Sequence, residues 1–327
     1  MTILLTGGSG FLGSHVAEQL SKQGRPVRAL VRRSSDTSFL ETLDHVELAQ
    51  GAVDDRQSLD AAMDGVEAIV HSAGLVKARR PEDFDAVNVE GTRNLLAAAK
   101  RAGTDLRRFV HVSSLAAVGP SPSNEPVDPA QEEPVTHYGR SKLKAEKVAL
   151  DAADDVPVTI IRPPMIYGPR DREALAFFRS VSQRTLPHFG DGKNTMSVIY
   201  GADAGRACVQ AIDADVPSGS RFFVDDGEIY VWIEMLEEIE RALGKRAWIR
   251  FGLPFGFMRV VALGSELVGK LTGKAVMLTR DKLHELAAPH WVCSSLDTRE
   301  ALEWTPEVGW SEGVRLTAEW YRSAGWL

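Results

Sequence analysis

Short apolar runs and stretches of helical period alternate along the first half of the chain. Thr2 to Leu5, Pro26 to Val31, Val46 to Gly51, Glu67 to His71, Arg107 to Ser114 and Val156 to Ile161 are rich in apolar and β-branched residues and read as strands. Phe11 to Leu20, Ser58 to Met63, Pro81 to Ala102 and His137 to about Leu150 carry helical patterns between them. Runs that are apolar on both faces suit a sheet covered by helices on each side, so this half predicts a doubly wound parallel sheet in an α/β fold. The second half is less regular, with Pro163-Pro164, Gly168-Pro169 and Gly190-Asp191-Gly192 as punctuation. Glu173 to Ser182, Asp203 to Ile212 and Val231 to Leu243 predict helices there, and Met196 to Tyr200 and Arg221 to Val224 predict strands. Internal repeats are absent, which points to two unrelated regions rather than a duplication.

The first strand runs straight into Thr6-Gly7-Gly8-Ser9-Gly10-Phe11-Leu12-Gly13 and then into a helix. Strand, glycine turn and helix is the setting in which such a turn holds a dinucleotide. Gly7 lets the chain reverse, a side chain at Gly10 would hold a pyrophosphate off the backbone, and one at Gly13 would push the helix off the sheet. The helix start at Phe11, Leu12 and Gly13 offers free amides and a positive dipole end. The spacing is GxxGxxG rather than GxGxxG, and a plain glycine-rich turn stays open on this stretch alone.

The second strand ends in Arg32-Arg33 with no acid beside it. Arginine at that place suits the 2′-phosphate of NADP, whereas an acid would suit the ribose hydroxyl of NAD. A solvated basic pair is the plainer reading. Asp54 after the third strand is placed to bond an adenine amino group or to cap the helix that follows. His71 reads as a packed histidine, Ala73 and Gly74 as small residues over which a cofactor can lie, and Asn88 as a solvent-facing polar residue within a helix.

Tyr138 and Lys142 stand four residues apart on one helix and share a face. A nearby ammonium favours the phenolate, so the pair suits general acid–base work on an alcohol or ketone. A serine at the end of the fifth strand, Ser113 or Ser114, can bond the substrate oxygen.

Taken together, these stretches resemble the extended short-chain dehydrogenase/reductases. The resemblance is carried by the glycine turn, His71-Ser72-Ala73-Gly74, Asn88-Val89-Glu90-Gly91-Thr92, Ser113-Ser114, Tyr138-Gly139-Arg140-Ser141-Lys142, Arg162-Pro163 and Ile166-Tyr167-Gly168-Pro169. It implies a Rossmann-type NAD(P)-binding domain over 1–162 and a smaller, irregular α/β substrate region over 163–327, with segments around 196–225 returning to the first domain. It also implies Ser114, Tyr138 and Lys142 as the catalytic set, and Pro163 beside the cofactor together with Tyr138 and Lys142. Within the family the chain looks most like the dihydroflavonol reductase and 3β-hydroxysteroid dehydrogenase branch, which supports NADP and a hydrophobic ketone or alcohol. Leu115, and the lack of an acid after Val31, depart from the sugar epimerases. A nucleotide-sugar epimerase or dehydratase with tightly bound NAD, and a non-catalytic NADP sensor, are the alternatives. A homodimer packed through helices is common in the family.

Charge and composition narrow the partners. A net charge of −7 argues against nucleic acid. Cys208 and Cys293 have neither disulfide nor metal spacing, and no secretory leader is visible, so a cytoplasmic setting is expected and no metal site. The apolar stretch from Phe251 to Val268 contains only Arg259 and Glu266 as charges. It reads as a helix buried on the core, as a wall for a lipophilic substrate, or as a surface leaning on a membrane. The substrate wall is preferred, because no basic polar face is evident.

Overall fold

The computed structural model describes residues 2–103, 105–273, 275–276 and 278–327. Six strands from the first half appear where the apolar runs predict them: β1 (Thr2–Thr6), β2 (Val27–Val31), β3 (Val46–Gln50), β4 (Val66–His71), β5 (Arg108–Val112) and β6 (Val158–Arg162). With the Ser220–Phe223 strand they form one seven-stranded sheet, in which that strand lies outside β6 and the order continues β5, β4, β1, β2, β3. All of its pairings are parallel. Thr6 pairs with His71 and with Leu30, and His71 with His111, so the carboxyl ends of the central strands meet along one edge. The chain reverses its winding between β1 and β4, which opens a crevice at that edge.

Alternation along the strands sends Ile3 and Leu5 to one face and Leu4 to the other. The first face packs on helix α1 (Phe11–Lys22) and on the Gly201–Asp213 helix, through Val16, Leu20, Cys208 and Ile212. The second packs on α2 (Arg56–Ala62), a helical stretch formed by α3 (Pro81–Phe84), a π-turn and α4 (Glu90–Ala102), and, past the short α5 (Leu115–Val118), α6 (His137–Asp151). A separate apolar cluster joins Tyr167, Phe178, Leu186, Tyr200, Trp232 and Tyr321 in the second half.

The Phe255–Thr272 helix departs from the reading of a helix buried on the core. Only Met258, Ala262 and Gly269 are buried and Phe255 is half-buried beside them, while Phe257, Val260, Val261, Leu263, Leu267, Val268 and Leu271 are exposed. An apolar composition does not distinguish a core helix from an unpartnered one, because both lack a polar face.

One buried ion pair anchors α6 to the sheet. Arg162, at the end of β6, gives Nε to Glu146 Oε1 at 3.0 Å and Nη2 to Oε2 at 2.6 Å, with both side chains 1% exposed. Its remaining nitrogen donates to the Pro129 carbonyl at 2.7 Å. A pair desolvated this completely needs close geometry and further hydrogen bonds, and here the fork meets both carboxylate oxygens while all three guanidinium nitrogens donate. Glu146→Ala is expected to cost about 3–5 kcal/mol in urea unfolding, because it strands a buried guanidinium. The double change Arg162→Met with Glu146→Leu recovers most of that loss. A single-variant cost below about 1 kcal/mol contradicts the anchoring role.

Candidate active site

The glycine turn makes its close approaches with no atom to spare. Gly7 has φ of +75°, and a Cβ there would stand 2.6 Å from the Ala73 nitrogen. A Cβ on Gly13 would fall 2.1 Å from the Gly7 carbonyl oxygen. These two positions seat α1 against the ends of β1 and β4. Gly10 differs, since a Cβ there would meet only the Gly7 oxygen at 3.1 Å. No side chain caps α1, and its first internal bond is Ser14 N–H to the Gly10 carbonyl at 2.9 Å. The amides of Phe11, Leu12 and Gly13 precede that bond and point out of the helix start.

Arg32 and Arg33 follow β2 directly and are exposed, next to the β1 end through the Thr6–Leu30 pairing. Asp54 is exposed too. The cap of α2 is its neighbour Asp55, whose carboxylate accepts from the Gln57 and Ser58 amides, so the capping alternative passes to the adjacent acid and leaves Asp54 uncommitted.

Beneath the crevice runs a buried polar chain. Ala73 N–H donates to Thr6 Oγ1 at 3.3 Å, Thr6 Oγ1 lies 2.7 Å from His71 Nδ1, and His71 Nε2 lies 3.0 Å from Thr92 Oγ1. Thr92 spends its own proton on the Asn88 carbonyl at 2.7 Å. That sequence of donors assigns the His71 proton to Nε2 and makes Nδ1 an acceptor. Burial pushes the His71 pKa down to about 3, so the ring stays neutral.

Asn88 is 2% exposed, contrary to the solvent-facing reading. It lies in the π-turn at Asp85–Val89, where the widened helix turns it inward. Its Oδ1 accepts from Leu75 N–H at 2.7 Å, and its Nδ2 donates to Ser141 Oγ at 2.8 Å and to the Leu75 carbonyl at 3.1 Å. The Asn-Val-Glu-Gly-Thr motif was the one signal for it.

The start of α6 is set by Thr136, whose hydroxyl accepts the Gly139 amide at 3.1 Å. A Cβ on Gly139 would sit 2.3 Å from the Ala116 carbonyl oxygen, so α6 and α5 meet backbone to backbone. This contact brings Tyr138 into hydrogen-bond reach of Ser114, which caps α5 by accepting the Ala116 amide at 3.1 Å. Ser113 points elsewhere, buried with no bonding partner for its hydroxyl among the described residues. Pro163 is buried, and its carbonyl accepts the Leu115 amide at 2.9 Å, which holds the end of β6 against the same turn.

Lys142 is buried, and its Nζ donates to the Val112 carbonyl at 2.5 Å. It borders Gly74, whose added Cβ would lie 3.9 Å from Nζ and 3.1 Å from Asn88 Oδ1. Burial lowers the lysine to about 8, with Glu146 opposing. The Tyr138 phenol is raised to about 12, mainly by burial, while the Ser114 bond lowers it and Glu285 raises it further. The expected lowering of Tyr138 by Lys142 is therefore not seen in this state, in which the ammonium is turned to the Val112 carbonyl.

Glu285 has no signal in the local sequence. It comes from the Arg280–Ala287 helix, which is tied to the α6 start by the Asp281 carboxylate accepting the His137 amide at 2.9 Å.

Residues 3–224 match the model of the NAD dependent epimerase/dehydratase family. The chain belongs to this family. The resemblance read in the sequence to the extended short-chain dehydrogenase/reductases, with their Rossmann-type fold, holds. The chain is similar to a ceramide reductase of Caulobacter vibrioides, 33% identical over 99% of this chain and 96% of that protein. It is also similar to sterol demethylase protein B of Methylococcus capsulatus, 37% identical over 80% of each. The solved UDP-glucose 4-epimerase of Thermotoga maritima shares the fold, with a TM-score of 0.82 at 21% identity over 99% of both chains. Members of the family named as dehydrogenases and reductases make this an NAD(P)-dependent enzyme acting on CH–OH groups. The uncapped α1 start, the open side of Gly10 and the small residues Ala73 and Gly74 fit a dinucleotide laid across the β1 and β4 ends.

The two shifted groups give opposite pH responses. Between about pH 8 and 10.5 the unfolded lysine holds a proton that folded Lys142 has released, so stability rises with pH there. Above about pH 10 the unfolded tyrosine has lost the proton that folded Tyr138 keeps until about 12, so stability falls. Lys142→Met is expected to remove the rise and keep the fall, read as urea midpoints at about pH 8, 9.5 and 11. An identical rise in the variant contradicts the assignment.

Proposed function

We propose that the enzyme interconverts a ketone and a secondary alcohol on a hydrophobic substrate, with NADP as its hydride carrier. The observation that carries the reading is the packing of Gly139 on the Ala116 carbonyl, which sets Tyr138 near Ser114, with Lys142 beside Gly74. A bound nicotinamide cofactor supplies or takes the hydride. Tyr138 stays protonated at neutral pH, so it is the acid that delivers a proton to the ketone oxygen, and in the reverse direction it takes that proton back. Ser114 donates to the same oxygen and orients it. Lys142, protonated below about pH 8, holds ribose hydroxyls and favours the phenolate as it forms. Gly7, Gly10 and the α1 amides take the pyrophosphate, and Asp54 and Pro163 border the adenine and nicotinamide ends.

Two arginines without an acid at the β2 end support NADP over NAD. The naming of similar proteins as a ceramide reductase and a sterol-4-alpha-carboxylate 3-dehydrogenase supports a lipid-like substrate.

Tyr138→Phe is expected to lower NADPH-dependent ketone reduction by about a hundredfold to ten-thousandfold while NADPH affinity stays near wild type. Full reduction by that variant overturns the role of Tyr138. Arg32→Asp should weaken NADPH binding about tenfold or more in a fluorescence titration and leave NADH little changed. An unaltered preference removes Arg32 from the site.

A further inference from the structure

The Phe255–Thr272 helix presents an apolar face that the site above does not use. Phe257, Val260, Leu263, Leu267, Val268 and Leu271 are each between 49% and 78% exposed. At about 100° per residue these six fall on one arc roughly 140° wide. The opposite side carries Met258, Ala262 and Gly269, and the first two pack on Leu283 of the Arg280–Ala287 helix. Exposed apolar area of this extent on one helix marks an interaction surface.

Two cations without a carboxylate partner among the described residues border it. Arg259 and Lys270 project beside Leu263, at the border of the arc, and both are exposed with no carboxylate partner among the described residues. The acid of the helix, Glu266, lies on the same flank and is paired to Arg280 at 3.1 Å. Ahead of the helix, just before and within the Ile249–Leu253 strand that leads into it, Trp248, Ile249 and Phe251 are exposed. Arg184 stacks on the Trp248 ring at 5.4 Å. The whole chain has a net charge of −7, so the unpaired cations Arg259 and Lys270 at one edge of the apolar strip are a local feature. An apolar arc with cations at its edge fits the headgroup layer of an anionic bilayer. A second copy docked about a two-fold axis would instead bring the same cations toward one another. No helix among the described residues is long and apolar enough to cross a membrane.

We propose that this helix and the Trp248–Phe251 segment form a peripheral docking surface for an anionic lipid bilayer. The apolar arc enters the acyl boundary, and Arg259 and Lys270 meet lipid phosphates. The same unit reaches the site, because the Arg280–Ala287 helix beneath it holds the His137 amide through Asp281 and places Glu285 near Tyr138. Delivery of a lipid substrate from that side rests on the function proposed above; the docking itself does not.

The test is flotation of the full chain with vesicles of phosphatidylcholine alone or with about 30 mol% phosphatidylglycerol. Anionic vesicles are expected to carry at least about tenfold more protein than neutral ones, and added salt to reduce that fraction. Leu263→Asp with Leu267→Asp should abolish flotation, and Arg259→Glu with Lys270→Glu should remove the preference for anionic lipid. Thermal unfolding near wild type shows that the variants are folded. Two results overturn the proposal: no flotation of the wild type on either vesicle, or a wild-type dimer that ignores vesicles and becomes monomeric in the aspartate variant. Neither readout involves turnover, so a failed docking test and a failed ketone-reduction test are separate outcomes.

Discussion

Two helix starts lie closer to their neighbours than a Cβ would allow, and the site depends on both. Gly13 lets α1 settle on the Gly7 carbonyl, and Gly139 lets α6 settle on the Ala116 carbonyl. The first contact leaves a cradle of uncapped amides at the end of β1. The second places Tyr138 at Ser114. A side chain at either glycine would push a helix outward, and the two halves of the candidate site would no longer face one crevice. The parallel sheet makes this possible, because it brings the carboxyl ends of β1, β4, β5 and β6 to a common edge.

Around that edge burial and pairing set the state of the ionisable groups. His71 is neutral within a chain of hydroxyls, Lys142 is lowered by burial, and Arg162 and Glu146 satisfy one another. In a low-dielectric region such groups respond strongly to an arriving charge or hydrogen-bond partner. In the proposed reaction a substrate oxygen and a ribose would be such partners. Ser113 and His111, buried close by with polar atoms unpartnered among the described residues, are further groups that feel the same field.

Much of this was legible in the residues alone. The central strands are apolar on both faces, so their runs stand out, and Tyr138 with Lys142 is visible because i and i+4 share a helix face. Asn88 was misread because a regular helix would turn it outward, and the π-turn that buries it has no pattern of its own. Asp55 rather than Asp54 caps α2 because adjacent acids are equivalent until the backbone chooses one. Glu285 was unreadable, since its approach to Tyr138 depends on a contact far apart in sequence. The exposure of the Phe255–Thr272 helix was not legible, because the apolar window stopped at Val268 and left out Lys270, and because the burial of a greasy helix depends on what packs against it.

The central claim is that the glycine cradle and the Ser114, Tyr138 and Lys142 set share one hydride transfer with net exchange of free cofactor. The most direct measurement uses NADPH deuterated at the transferring position of the nicotinamide, with a hydrophobic ketone, and locates the label by mass spectrometry. The account predicts an alcohol with one deuterium on its carbinol carbon and an equal amount of oxidised, unlabelled cofactor released. Label remaining on the cofactor, with no alcohol formed from any such ketone and a tightly bound NAD in the purified protein, would contradict it.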